Sequence, residues 1–273
     1  MSDRPARVFT ATVMAIVSTN TKKGIVEAMA QLAPAGVRPV IIELGDNPEP
    51  ERCDEQGCAV IDGLIPKYLN NAVASLRLSS LPTLAWWRAE DPQILQGLAA
   101  LVDHVVLDAS DPSQTWALVP RIAEIAPVSD LRWTQLTRWR EVIAQFFDIP
   151  GVNAAANAFD RLEIRGDGPQ ARLAAGWLRS RLPSGDRLHV RIDGGGEPAI
   201  ESLQLSGGGA MLGVRVLPEQ NCLETSIRIG DAPVSTRVVA IGDQRPHALI
   251  AEELRVRSRD HAFEAAVVAA EQL

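Results

Sequence analysis

Four of the six tryptophans in this 273-residue chain stand in two arginine-bearing segments about 45 residues apart. One is Leu81-Pro82-Thr83-Leu84-Ala85-Trp86-Trp87-Arg88. The other is Asp130-Leu131-Arg132-Trp133-Thr134-Gln135-Leu136-Thr137-Arg138-Trp139-Arg140-Glu141. Trp86, Trp87, Arg88, Trp133, Arg138, Trp139 and Arg140 combine large rigid area with directional N–H donors, the pairing enriched at protein–protein hot spots. The chemistry these groups suit is recognition of another polypeptide, by direct contact or by supporting the contact surface. Trp86 and Trp87 are neighbours on an expected strand and must point to opposite faces, so one enters the core while the other meets an outer layer or a partner. The competing reading makes both core aromatics and Arg88 a surface charge. In the second segment Thr137 reads as a helix N-cap, with Arg138, Trp139 and Arg140 in the first turn. The helix dipole disfavours cations there, so the two arginines pair with acids or reach an anionic group. Glu141 completes a capping box or pairs locally. A plainly solvated helix start stays open.

Other candidates are weaker. Cys53 and Cys58 flank an Asp-Glu-Gln-Gly spacer. That spacing does not match common zinc sites, and no histidine lies close in sequence. The pair reads either as a regulatory dithiol in an exposed loop or as two ordinary thiols whose acidic neighbours make the thiolates less reactive. Gly166-Asp167-Gly168-Pro169 before a helix could cradle a phosphate, but it lacks both the dinucleotide glycine spacing and the Walker lysine. It reads more simply as a strand–helix turn with Pro at the first helical position. His104, His189, His247 and His261 are scattered, and the Ser–His–Asp, HExxH and Gly-x-Ser-x-Gly patterns are missing. Glu252-Glu253 sits on what reads as an ordinary charged helix. No cofactor or metal is implied.

The net charge of −7 argues against a general nucleic-acid binder. Residues 1–150 carry 13 basic and 18 acidic groups and residues 151–273 carry 14 and 16, so neither half is a basic module. No apolar run reaches the roughly 18 residues a membrane helix needs, and the first residues lack the apolar core of a signal peptide. Three cysteines fit a reducing cytosol; a cytoplasmic location without membrane contact is expected.

The elements that must carry these residues fall into two patterns. Over 1–150 strands and helices alternate. Strands are predicted at 7–17, 37–44, 58–61, 82–87 and 103–107. Helices are predicted at 21–32 with Thr21 as a possible N-cap, at 63–78, from Asp91-Pro92 to 101, from Asp111-Pro112 to about 126, and at 137–147. That alternation implies a mostly parallel sheet with helices on its faces, an α/β domain. Pro150-Gly151 punctuates the chain. Over 151–273 the pattern becomes α+β. A strand at 159–164 and a helix at 170–181 precede strands at 187–192, 200–205, 210–217, 222–229 and 235–241. Gly194-Gly195-Gly196 and Gly207-Gly208-Gly209 read as hairpin turns, giving an antiparallel meander closed by helices at 246–255 and 259–271.

The two Trp–Arg segments resemble the signature runs of the glucose-6-phosphate dehydrogenase assembly proteins, the OpcA family. Further stretches are similar to that family: Asp103-His104-Val105-Val106-Leu107-Asp108-Ala109-Ser110, Arg140-Glu141-Val142-Ile143-Ala144-Gln145-Phe146-Phe147-Asp148, Leu173-Ala174-Ala175-Gly176-Trp177-Leu178-Arg179-Ser180-Arg181-Leu182, and Leu249-Ile250-Ala251-Glu252-Glu253-Leu254-Arg255. The resemblance covers most of the chain from about residue 80; the first 75 residues and the Cys53–Cys58 loop match less distinctively. It implies a non-catalytic partner that binds oligomeric glucose-6-phosphate dehydrogenase, promotes its active form and feeds the oxidative pentose phosphate pathway. NADP and sugar phosphate would then bind the dehydrogenase. A function of another class stays open. This is a sugar-phosphate enzyme or sensor, such as a hydrolase, using the strand-end crevice near Asp108–Ser110 with Arg88 as phosphate clamp.

Overall fold

The computed structural model describes residues 8–22, 24–53, 58–166, 168–194, 199–256 and 258–273. The first elements are β1 (Ala11–Ser18), α1 (Ile25–Leu32), β2 (Val37–Leu44), β3 (Arg52–Cys53), β4 (Ala59–Leu64), α2 (Leu69–Leu76), β5 (Thr83–Arg88), α3 (Leu95–Ala99), β6 (His104–Leu107), α4 (Ser113–Trp116), α5 (Val119–Ala123) and β7 (Val128–Asp130). There follow α6 (Leu131–Gln135), α7 (Thr137–Phe146), α8 (Pro150–Ala155), β8 (Phe159–Gly166), α9 (Gly168–Arg181), β9 (His189–Gly194), β10 (Ile200–Gly207), β11 (Ala210–Leu217), β12 (Cys222–Ile229), β13 (Ser235–Ala240), α10 (Pro246–Glu253) and α11 (His261–Ala270).

The chain divides into two units. One runs to Leu131 and takes back Arg245–Asp260; the other comprises Arg132–Gln244 and His261–Leu273. This division differs from a break at residue 150. Helix α7 packs on β11 and β12 of the second sheet, whereas α10 packs on α1 of the first unit. Both choices are set by apolar faces far apart in sequence, which a Pro-Gly break cannot register.

The first unit is a seven-stranded sheet in the order β3-β4-β2-β1-β5-β6-β7, parallel except for the short antiparallel edge β3. Its central strand Ala11–Ser18 is buried on both faces until its last residue, as expected where crossover helices cover each side. One face carries Val13, Ala15, Val17, Leu84, Trp86 and Val106 against Ile25, Met29, Leu249 and Ile250 of α1 and α10. Several helix starts depart from the sequence reading. Thr21 ends a 3₁₀ turn and bonds Ser18, and α1 begins after Gly24, whose φ of 80° suits a residue without Cβ. Asp91 does cap, accepting from the backbone of Gln93, whereas Asp111 accepts from the backbone and hydroxyl of Ser113 while Pro112 stands at the N-cap of α4. The helix expected to run from Asp111-Pro112 to 126 is split into α4 and α5, because Pro120 enters a new first turn.

The second unit is a six-stranded sheet in the order β13-β12-β11-β10-β8-β9. Four pairings are antiparallel, but β8 and β9 run parallel because α9 connects them as a crossover. The Gly194–Gly196 run therefore joins no hairpin: β9 and β10 lie on opposite sides of β8. Residues 195–198 of that stretch are outside the described set, as are Asp167 and the Cys53–Cys58 spacer. Gly208 and Gly209, with φ of 56° and 78°, do form the two-residue turn between β10 and β11.

Candidate interaction site

With the edge strand β3 set aside, the first sheet has the strand order of a doubly wound dinucleotide fold, third-second-first-fourth-fifth-sixth. Such folds bind ligands beyond the carboxyl ends of the strands where the order reverses, here between β1 and β5. The β1–α1 turn is where a glycine cradle would receive a pyrophosphate, and an acid at the end of β2 would receive the ribose. Here the acid is Glu43, and it already accepts from Thr19 Oγ1 at 2.8 Å and from the Lys22 ammonium. Lys22 also donates to Asp62 at 2.7 Å, and Asp62 accepts from Arg52 at 2.7 Å. Burial alone would lower the Lys22 pKa, but the hydrogen bonds and charges of Asp62 and Glu43 outweigh it and raise it. The same competition runs the other way for Asp62: burial would raise its pKa, and Lys22 and Arg52 bring it below the ordinary value.

A hollow of about 230 Å³ lies at the strand ends, lined among others by Thr21, Arg88, Glu90, Ser110, Asp111 and Gln114. Arg88 and the Asp108–Ser110 stretch do meet here. The Arg88 Nε lies 3.2 Å from Asp108 Oδ2, however, and Glu90 and Asp111 add two acids. An anionic substrate would meet a guanidinium already faced by a carboxylate, which weakens Arg88 as a phosphate clamp.

The tryptophans are core. Trp86 and Trp87 are fully buried, Trp133 is 2 % exposed and Trp139 5 %. Opposite faces were available to Trp86 and Trp87, but helices cover both faces of a parallel sheet, so neither indole reaches a partner. All four indoles are enclosed within the chain. Aspartates hold two of the buried tryptophans. Trp86 Nε1 donates to Asp108 Oδ2 at 2.9 Å, and the buried Trp116 donates to the buried Asp130 at 2.9 Å. Each aspartate stands in one of the family-like runs, a role that sequence reading missed. The signal was an Asp at the end of a strand in each run, Asp108 just after β6 and Asp130 as the last residue of β7.

In the second unit Arg140 lies over Trp133, its guanidinium carbon 3.7 Å from the ring centroid, and donates to Thr137 Oγ1 at 3.3 Å. Trp133 also meets Phe263, with ring centroids 5.8 Å apart and the planes tilted by 52°. Arg138 pairs with Glu141 at 2.6 Å, both half-exposed. Helix α7 does not begin at a free end. Leu136 N bonds Arg132 O and Arg140 N bonds Leu136 O, so α6 runs almost directly into α7. The N-cap is Leu136, not Thr137, and Glu141 completes no capping box there. The arginines are thus seated by a ring and an acid within the unit.

Cys53 is exposed on β3 and Cys58 is buried in the core cluster; both are thiols, not a disulfide. Burial of Cys58 removes it from direct access by an oxidant, which does not fit an exposed dithiol loop.

Glu253 is not on a charged face. It is 6 % exposed, accepts from Ser129 Oγ at 2.6 Å and lies 3.4 Å from His104 Nε2. Ser129 Oγ is 3.2 Å from the same ring nitrogen. In a hydrolytic triad serine and acid address different ring nitrogens. Here both address one, so the cluster staples α10 to β6 and β7. Burial holds His104 down to about 4, only partly offset by a backbone contact with Glu253.

No helix among the described residues is long and apolar enough to cross a membrane. Comparison with known proteins gives a consistent result. The family model for the C-terminal domain of a glucose-6-phosphate dehydrogenase subunit matches residues 126–267, just over half of the chain and including Trp133–Arg140. A Nostoc punctiforme protein provisionally described as OxPP cycle protein OpcA is 26 % identical over 75 % of this chain and 52 % of that protein. A Synechocystis protein with the same description is 29 % identical over 42 % of this chain and 26 % of that protein. The chain thus spans about half or less of the length of the curated relatives it matches. Among solved structures, a levoglucosan dehydrogenase with NADH and levoglucosan is 9 % identical at a TM-score of 0.49. An aldose–aldose oxidoreductase from Caulobacter crescentus is 10 % identical at 0.47. Each match spans 96 % of this chain, with 88 % of the levoglucosan dehydrogenase and 89 % of the oxidoreductase covered. Likeness at that level says nothing about activity. The Trp–Arg runs, their aspartate partners and the matched C-terminal half together place this chain in the OpcA family.

Proposed function

We propose that this chain is a non-catalytic partner of glucose-6-phosphate dehydrogenase, binding the dehydrogenase in the cytoplasm and favouring its active oligomeric form in the oxidative pentose phosphate pathway. Family membership supports the link to that enzyme. The observation that carries the non-catalytic reading is the Lys22–Glu43–Asp62–Arg52 network. In a doubly wound sheet of this strand order, the turn and acid that would hold a dinucleotide are engaged with one another. Anchored groups of this kind would have to break two charged hydrogen bonds before reaching a ribose, each worth about 1.5–3 kcal/mol.

An activator must bind the active state better than the inactive one, and a hundredfold preference corresponds to roughly 2.7 kcal/mol, an ordinary coupling energy. The test is the dehydrogenase rate against glucose 6-phosphate with and without this chain. A complex with a raised rate or a lowered apparent KM is expected. No complex and no kinetic change would refute the proposal. The other reading, a sugar-phosphate enzyme or sensor at the Arg88 crevice, predicts direct binding of glucose 6-phosphate or 6-phosphogluconolactone to the isolated chain by calorimetry.

A further inference from the structure

The signature tryptophans are sealed, so any docking surface must use other groups. Five of the six tryptophans are buried; Trp177 alone is half-buried. It stands on α9 at the rim of a hollow of about 330 Å³ between α9 and the end of α7. Ile143 and Phe147 line one side, and Leu178 and Leu182 the other; the remaining lining besides Trp177 and Arg181 is alanine and proline. Arg181 is exposed one turn beyond Trp177, on the same side of α9, since residues four apart are neighbours on a helix.

The polar chemistry of this hollow is one-sided. The only polar side-chain groups in its lining are the Trp177 indole N–H and the Arg181 guanidinium, both donors. Among the described residues neither side chain has a hydrogen-bond partner, and Arg181 has no ion pair. The other arginines of the signature runs behave differently: Arg88, Arg138 and Arg140 are each held by an acid or a ring. An occupant must therefore bring an apolar side chain for the hollow and an acceptor, best an anion, for the two donors.

Resting on the proposed partnership, we infer that the α7–α9 hollow is the docking surface. Its occupant is a segment of the dehydrogenase that inserts one aromatic or branched apolar side chain, with an adjacent aspartate or glutamate on Trp177 and Arg181. A Trp beside an Arg around an apolar depression is the composition that carries most of the energy of protein interfaces. The carboxylate supplies what the lining lacks, and the desolvated bond to a guanidinium is the stronger kind. The buried indoles of the signature then serve the fold, and Trp177 serves the contact.

The test uses the full chain and purified glucose-6-phosphate dehydrogenase from the same organism. Affinity is measured by calorimetry for the wild type, Trp177→Ala, Trp177→Phe and Arg181→Glu. Circular dichroism and thermal unfolding confirm that each variant is folded. Iodide quenching of tryptophan fluorescence reports Trp177 directly, because the other indoles are shielded; Trp177→Phe should abolish the quenchable fraction. The expected result is at least a tenfold loss of affinity for Trp177→Ala and for Arg181→Glu, a smaller loss for Trp177→Phe, and protection from iodide in the complex. A wild-type complex whose affinity survives both substitutions in folded protein overturns the docking site and leaves the partnership standing. Failure of the wild type to bind at all removes the partnership and this inference with it. Wild-type self-association in sedimentation that the same variants abolish would assign the hollow to a second copy and overturn the inference too.

Discussion

Gly176 offers a test in which local and tertiary reasoning disagree in sign. It lies inside α9, where replacing glycine by alanine should stabilise an isolated helix by about 1 kcal/mol. In the folded protein a Cβ at this position would stand 2.2 Å from Ala266 O and 2.7 Å from Ala270 N. Both are backbone atoms of α11, the helix most extensively packed against α9, so no side chain can swing away. Ordinary carbon–oxygen contact needs about 3.3–3.6 Å, so α11 must withdraw by roughly 1 Å. A gap of that size forfeits about a quarter to a half of the dispersion energy of every contact it opens. Overpacking of this kind costs typically about 1–3 kcal/mol, and a backbone contact places Gly176→Ala near the top of that range. After the helix-propensity gain, a net loss of about 2 kcal/mol is expected. At roughly 2–4 °C per kcal/mol, Tm should fall by about 4–8 °C. Urea unfolding followed by circular dichroism gives the same quantity at 25 °C. A variant as stable as the wild type, or more stable, would show that α9 and α11 do not approach as closely as the structure has them.

The buried His104 makes the first unit acid-sensitive. Its folded pKa of about 4 lies below the ordinary 6.5, so between those values the unfolded chain binds a proton that the folded chain refuses, and stability falls as pH falls through that window. The full loss by pH 4 is about 3 kcal/mol. An NMR titration of the imidazole with a midpoint above 6.5 would mean that Glu253, 3.4 Å away, outweighs burial. Trp86→Phe should cost about 2–3 kcal/mol, because it deletes a hydrogen bond to the Asp108 carboxylate as well as ring volume. A double-mutant cycle with Asp108→Asn should give a coupling of about 1–2 kcal/mol, and additive effects would show that the indole–carboxylate bond contributes nothing.

Local pattern was enough for most strands. Residues 37–44 and 210–217 coincide with β2 and β11, because a strand's alternation and its flanking turns are written in neighbouring residues. The capping role of Asp91 and the Gly208-Gly209 turn were legible for the same reason. The Trp–Arg runs were legible as a family signature, but their burial was not. A period of two places Trp86 and Trp87 on opposite faces, and only the crossover helices decide that both faces are covered. Pairing across distance was equally hidden. Helix α9 makes β9 a parallel neighbour of β8, α10 returns to the first unit, and the buried Glu253 meets Ser129, 124 positions away. Gly176 reads as a weak point in a helix until α11 arrives against it. Trp177 reads like any other tryptophan until the shape of the α7–α9 hollow leaves part of it uncovered. Exposure belongs to the packing of one element on another, and a linear chain carries the faces of its elements without saying which of them will meet.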